Sequence, residues 1–421
     1  MITRLFGGVS GFALGLALFA VADPAVGGSY RILHTFVQTD GSSPLGGLIS
    51  DSSGNRYGTT SAGGSNACYG QAGCGTVFKL ASSGAFSSLY DFGGELKKDG
   101  DAPYSALVAD AAGNLYGTTE LGGGVAKCYR KPCGTVFRLT TAGSESLFFT
   151  FRSSKFGQMP IAGLTIDRSG NLYGTTVAGG RGACDCGTVF EIKADGKEKV
   201  LHSFKGGSDG SGPWYAGVIL DASGNLYGTT VFGGGTGCGG AGCGTVFKIT
   251  PNGTETVLYA FAGGSDGANP EGGLLADGAG NIYGVTQDGG GTGCDGGCGT
   301  VFKISSEGVE SVLHAFAGGN DGGYPEGALI EDNAGNLFGT TVIGGDTGCT
   351  ENGGAGCGTL FQLEPDGTET VLHAFAGGTD GVSPQAGLMA DSAGDLFGTT
   401  LAGGNTDCSG LGCGTVFELS P

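Results

Sequence analysis

Residues 271–316 read EGGLLADGAGNIYGVTQDGGGTGCDGGCGTVFKISSEGVESVLHAF, four short runs of strand character divided by turn residues. The runs are Glu271 to Asp277 (EGGLLAD), Asn281 to Thr286 (NIYGVT), GTVFKI from Gly299, and Ser311 to Phe316 (SVLHAF). Runs of four to six residues rich in Val, Thr, Tyr and Phe, bounded by Gly and Asp, are strands. The D-x-x-G-N string between the first two is hairpin chemistry, because Gly and Asn tolerate positive φ. This one stretch therefore predicts a four-stranded antiparallel sheet.

Working outward, the same unit recurs along the chain. The string CGTVF (once CGTLF) begins at Cys74, Cys133, Cys186, Cys243, Cys298, Cys357 and Cys413. A second string, G-N-x-Y/F-G in most copies, begins at Gly54, Gly113, Gly170, Gly224, Gly280, Gly335 and Gly394. Seven four-stranded units predict an all-β, seven-bladed β-propeller. Innermost propeller strands crowd the axis, and the first run of every unit has two small residues: Gly46-Gly47, Ser105-Ala106, Ala162-Gly163, Ala216-Gly217, Gly272-Gly273, Gly327-Ala328 and Ala386-Gly387. The repeat also opens out of phase. Residues 31–36 (RILHTF) match a fourth strand and residues 414–419 match a third, so the N-terminal strand is expected to close the last blade.

Composition agrees with this architecture and narrows the partners. The 421 residues include 94 Gly, which disfavours long helices, and Gly does not recur at every third position as collagen requires. A net charge of −19 argues against nucleic acid and anionic membrane surfaces, whose binding needs Lys and Arg. Charge is also divided along the chain: from residue 205 onward there are 3 basic and 24 acidic residues. Lys127, Arg130 and Lys131 form a basic cluster in the second unit. At the N-terminus, Arg4 precedes an apolar run ending in Ala20-Val21-Ala22. Residues 1–22 thus read as a secretory signal cut before Asp23, leaving 23–421 as one propeller domain. The run is short and glycine-diluted for a membrane anchor.

Fourteen cysteines fall two per unit, between the second and third runs: Cys68/Cys74, Cys128/Cys133, Cys184/Cys186, Cys238/Cys243, Cys294/Cys298, Cys349/Cys357 and Cys408/Cys413. In an exported chain they read as local disulfides. Zinc or redox chemistry is the rival, but no pair has the C-x-x-C spacing. Cys184/Cys186, with one intervening residue, is the cramped pair and the one whose closure is open.

The four histidines, His34, His202, His314 and His373, share one position of the fourth run with Tyr90, Phe149 and Tyr259. That alternation predicts a role in shape and stacking, with no catalytic or metal role for any of the four. Asp40, Asp99, Asp209, Asp266, Asp321 and Asp380 each stand in a D-G-x-x-P loop, with Phe156 at that place in the remaining unit. Each Asp either caps its own turn or contributes to a Ca²⁺ site. These loops and the cysteine loops are expected on one rim. Glu271, Glu326 and Gln385 follow the loop Pro and are expected to face the channel mouth, where other units offer Leu45, Tyr104, Ile161 and Tyr215. Trp214, the only tryptophan, precedes Tyr215 and can stack on a sugar face.

The ordered strings GNLYGTT, GG, a Cys loop, GTVF and LHAF-GG-x-DG-x-x-P resemble the GloVer tandem-repeat family of secreted bacterial proteins over about residues 30–419. The resemblance implies an exported repeat protein with no defined activity, often with a C-terminal sorting signal. This sequence ends at Ser420-Pro421 without one, so free secretion or non-covalent surface association is expected. The expected function is that of a monomeric, extracellular, non-catalytic binding or scaffold propeller. Its disulfide rim would take a glycan, protein or matrix ligand. The alternative is a lyase, lactonase or glycosidase using Glu271, Glu326 and a bound cation.

Overall fold

The computed structural model describes residues 28–420 apart from 67, 69–72, 95–97, 125–132, 182–183, 216, 346–348 and 350–354. Residues 1–22, read as a signal from the sequence, the Lys127/Arg130/Lys131 cluster and Cys128 lie outside the described residues. Within them, seven four-stranded antiparallel sheets follow one another as the blades of a β-propeller. A typical blade, the fifth, runs Leu275–Ala276, Ile282–Thr286, Thr300–Ile304 and Glu310–Ala315 from the axis outward.

The seventh blade is assembled from both ends of the chain. Ser29–Thr35 pairs antiparallel with Thr415–Ser420, from Ser29 opposite Ser420 to Thr35 opposite Thr415, with a bulge between Ile32 and His34. Arg31 reinforces the seam by donating to both carboxylate oxygens of Glu418 at 2.8 Å. The expected closure is therefore present.

Each innermost strand has only two ladder residues, shorter than the expected first run. The small pair preceding it lies against the backbone of a neighbouring blade. A Cβ on Gly327 would stand 2.7 Å from the Ala386 carbonyl oxygen, and one on Gly217 would stand 2.6 Å from that of Gly163. Convergence on the axis thus takes these residues out of the ladder and requires their small size.

The hydrophobic core is divided into seven clusters, one at each interface between blades. Each contains an edge-to-face pair joining the Phe that ends one unit to the GTVF or GTLF Phe of the next blade. Phe261 and Phe302 are one example, with centroids 5.1 Å apart, and Phe36 and Phe78 are another. The second-strand glycine gives this ring its space, since a Cβ on Gly284 would come 2.6 Å from Phe302 Cζ. The D-x-x-G-N turn is held by its Asp. Asp277 Oδ1 accepts the N–H groups of Ala279 and Asn281, and Oδ2 accepts the Asn281 amide and the Tyr283 hydroxyl. Gly280 takes the left-handed conformation there, at φ +84°.

Among the described residues five cysteine pairs are bonded as expected, and Cys184/Cys186, whose closure the sequence left open, is bonded as well; Cα atoms are 5.0–5.7 Å apart in all six. The pairing of Cys133 lies outside the described residues. No helix among the described residues is long and apolar enough to cross a membrane.

Candidate functional site at the channel mouth

The Asp-Gly loops and the start of each cysteine loop meet on one rim. Short bridges join them in each unit, as at Ser42 with Ala62 and Ala268 with Asp288, or Gly100–Asp101 with Leu121–Gly122. The loop carboxylates are bound within the protein. Asp321 accepts from the Ala317 N–H at 2.5 Å and lies 3.1 Å from His314 Nε2. Asp380 does the same with Ala376 and His373, and Asp266 with Ala262 and the Tyr259 hydroxyl. Asp40, Asp99 and Asp209 repeat the arrangement with His34, Tyr90 and His202. The ring packing expected of the histidines is present, edge-on to a Phe in each case, and each ring is in addition a polar latch on its loop Asp. Where the Asp is absent and Phe156 stands instead, the latch ring is Phe149. The six Asp stand one per loop, each tied to its own outer strand, and are not gathered into a shared cation cage.

One step inward the picture changes. The residue after each loop Pro reaches the mouth of the central channel, where a cavity of about 650 Å³ is lined by Tyr104, Trp214, Tyr215, Glu271, Glu326 and Gln385 together with Leu45 and Ile161. All six side chains expected to bear a ligand are in this one cavity. Threonine hydroxyls of the second strands hold several of these segments from the preceding blade. Thr59 donates to the Ser105 carbonyl at 2.8 Å, Thr118 to Ala162, Thr340 to Ala386 and Thr399 to Pro44. Beneath Glu326 this Thr is replaced by Val285, and the Thr229 hydroxyl beneath Glu271 is without a partner.

The two carboxyl groups differ in environment. Glu271 is 6% exposed; burial, then the nearby Glu326 and Asp288, pushes its pKa up to about 8. Burial also raises that of Glu326, opposed by a 2.7 Å hydrogen bond from Gln287 Nε2 to Oε1. At neutral pH Glu271 is thus mainly a protonated donor. Across the mouth, Tyr104 is pushed up to about 12 by burial and by Glu120, and Tyr215 is raised by burial, Glu271 and Glu326. Trp214 packs edge-on against Phe232, centroids 5.5 Å apart, and against Tyr215. Protonated carboxyl and amide groups thus face an aromatic and aliphatic wall.

Sequence reasoning missed Gln287 and Glu120. Both occupy the position directly after the second strand, held in other units by Ser61, Val177, Val231, Val342 and Leu401. That variability at a fixed repeat position was the available signal.

A family model described as the Gloeobacter/Verrucomicrobia repeat matches residues 17–180 and 128–350. No curated protein matches the chain in sequence. Among solved structures, virginiamycin B lyase from Staphylococcus aureus in its selenomethionine form is 12% identical with a TM-score of 0.57. A catalytically inactive variant of that lyase with quinupristin is 14% identical with a TM-score of 0.59. Both matches cover 93% of this chain and 100% of the lyase. The extracellular domain of a hybrid two-component system from B. thetaiotaomicron is 10% identical, with a TM-score of 0.56 over 92% of this chain and 39% of that one. At these identities the likeness concerns the fold.

Proposed function

The chain belongs to the Gloeobacter/Verrucomicrobia repeat family, and from that premise we propose that it is a secreted binding propeller whose channel mouth takes a glycan. The carrying observation is the convergence of Glu271, Glu326, Gln385, Trp214, Tyr215 and Tyr104 on one cavity. Carboxyl and amide groups hydrogen-bond sugar hydroxyls, while tryptophan and tyrosine rings stack on the apolar sugar face. Six disulfides among the described residues fit an oxidising compartment, and the 1–22 signal supports export. The test is a glycan array followed by calorimetry on the wild type, Glu271→Gln and Trp214→Ala. Loss of a glycan signal in both variants supports the reading; unchanged binding in both overturns it. Calcium added to the same titration checks the loop aspartates, with a calcium heat that Asp321→Asn reduces by one site as the supporting result.

A second reading, an enzyme of the lyase, lactonase or glycosidase kind, is favoured by one observation. A carboxyl held protonated near neutral pH beside a second carboxyl is suited to general acid catalysis. Fold alone does not choose between the two. Turnover abolished by Glu271→Gln with the fold intact would decide for the enzyme.

A further inference from the structure

Outside the mouth, each latch meets the next blade through a residue at the start of that blade's outer strand. That residue is Glu145, Glu198, Glu255, Glu310 or Glu369 in five blades, and Phe86 or Tyr30 in the other two. The aromatic versions are satisfied by stacking: Phe86 lies 3.6 Å from the His34 ring, and Tyr30 lies 3.7 Å from that of His373. The acidic versions are not equivalent to these. In Glu198, Glu255 and Glu369 alike the Oε1 atom is buried without a hydrogen-bond partner; what distinguishes Glu255 is that its interface also brings the Asp209 carboxylate and the His202 imidazole close to it.

We propose that His202, Asp209 and Glu255 form a binding site for a divalent transition-metal ion of the Zn²⁺ type, joining the third and fourth blades at the rim. One ligand atom from each residue lies within 4.8 Å of the other two. His202 Nε2 stands 3.2 Å from both carboxylate oxygens of Asp209. Two ligands of one tetrahedral Zn²⁺ are separated by about 3.4 Å when their bonds are about 2.1 Å, so the pair is already at ligand spacing. Glu255, within 4.8 Å of both, supplies the third arm on a small side-chain movement, with water left for the fourth position. The Lys205 backbone N–H donates to Asp209 Oδ2 at 2.7 Å, and Phe204 packs edge-on against the imidazole at 4.9 Å, which orients both ligands.

Imidazole with two carboxylates suits Zn²⁺ and its neighbours better than Ca²⁺, which takes oxygen ligands in larger number. The repeat supplies internal controls. Tyr90 and Tyr259 replace the imidazole at two interfaces, and Phe86 and Tyr30 replace the Glu at two others. His314, Asp321 and Glu369 repeat the residue types, but among the described residues that set does not close to ligand distance.

The test is calorimetric titration of the EDTA-treated, disulfide-intact chain with ZnCl₂, and Co²⁺ substitution followed by visible absorption. Saturable binding is expected, with a tetrahedral Co²⁺ band. Glu255→Gln, isosteric and without the negative charge, should weaken it by about tenfold or more, and His202→Ala likewise. His314→Ala should leave it unchanged. Absence of binding, or binding that survives in Glu255→Gln with no change in the Co²⁺ spectrum, would overturn the proposal. Melting curves of each variant separate ligand loss from misfolding.

Discussion

The rim of this propeller carries two rings built on adjacent loop positions, and they behave differently. In the outer ring, six of seven loops place the same Asp against a His or Tyr of the outer strand. In the inner ring, a few residues later in the same loops, the side chains are Leu45, Tyr104, Ile161, Tyr215, Glu271, Glu326 and Gln385. Where the repeat keeps its residue, the residue fastens a loop to its own blade. Where it lets the residue vary, seven copies of one loop make a cavity with unlike walls.

The largest expected effect is on the uniform ring. Deleting residues 23–38 removes the closing strand together with His34 and with Tyr30, which stacks on the His373 latch. It also exposes the partners of buried Phe36, a loss of several kcal/mol. Thermal unfolding should show a sharply lower midpoint; a midpoint within about 2 °C of the intact chain would break the closure model. Next comes a single latch. Asp321→Ala strips His314 and the Ala317 N–H of their acceptor and should cost about 1–3 kcal/mol in chemical denaturation.

At the mouth, substitution should act on ligand more than on fold. Glu271→Gln should abolish glycan binding and, because it removes a carboxyl that ionises in the folded state only at about 8, should gain stability relative to wild type as pH rises from 5 to 9. A melting difference independent of pH would contradict the buried carboxyl. The same sign applies to the blade-interface acids. Glu198 and Glu369 have pKa values raised by burial from 4.5 to about 7. Their unfolded forms lose protons first, so their contribution is full below about pH 4.5 and is lost as pH climbs through about 7. The turn aspartates, such as Asp277 with its lowered pKa, act oppositely, and their contribution is lost on acidification below 3.8. The melting midpoint should therefore be higher near pH 5 than at pH 8. The smallest effect is Trp214→Ala, about 1 kcal/mol of stability from its edge-on contacts, set against a clear loss of ligand.

The blades were legible because their determinants are local. Val-Phe alternation, the D-x-x-G-N turn and the paired cysteines each act within one unit, and seven copies average out the ambiguity of any one. The latch was also written within single units, in the matched absence of Asp and of His or Tyr at Phe156 and Phe149, although the residue types alone pointed to shape. The mouth residues were legible by position. Their chemistry was not, since the pKa of Glu271 depends on Glu326 from the next blade and on how deeply the ring closes over both.

The count of blades, their strand order, the closure by residues 31–36 and most of the local cysteine pairing can be read from the sequence, because these follow from short-range pattern and from the phase of a repeat. Which side chains of different units meet is set by the assembled ring. It brought Gln287 to Glu326, Glu255 to the His202–Asp209 latch, and six scattered residues to one cavity. The reason is geometric: winding seven similar units about an axis sets side by side residues some fifty positions apart, and no periodicity within one unit encodes which of them touch.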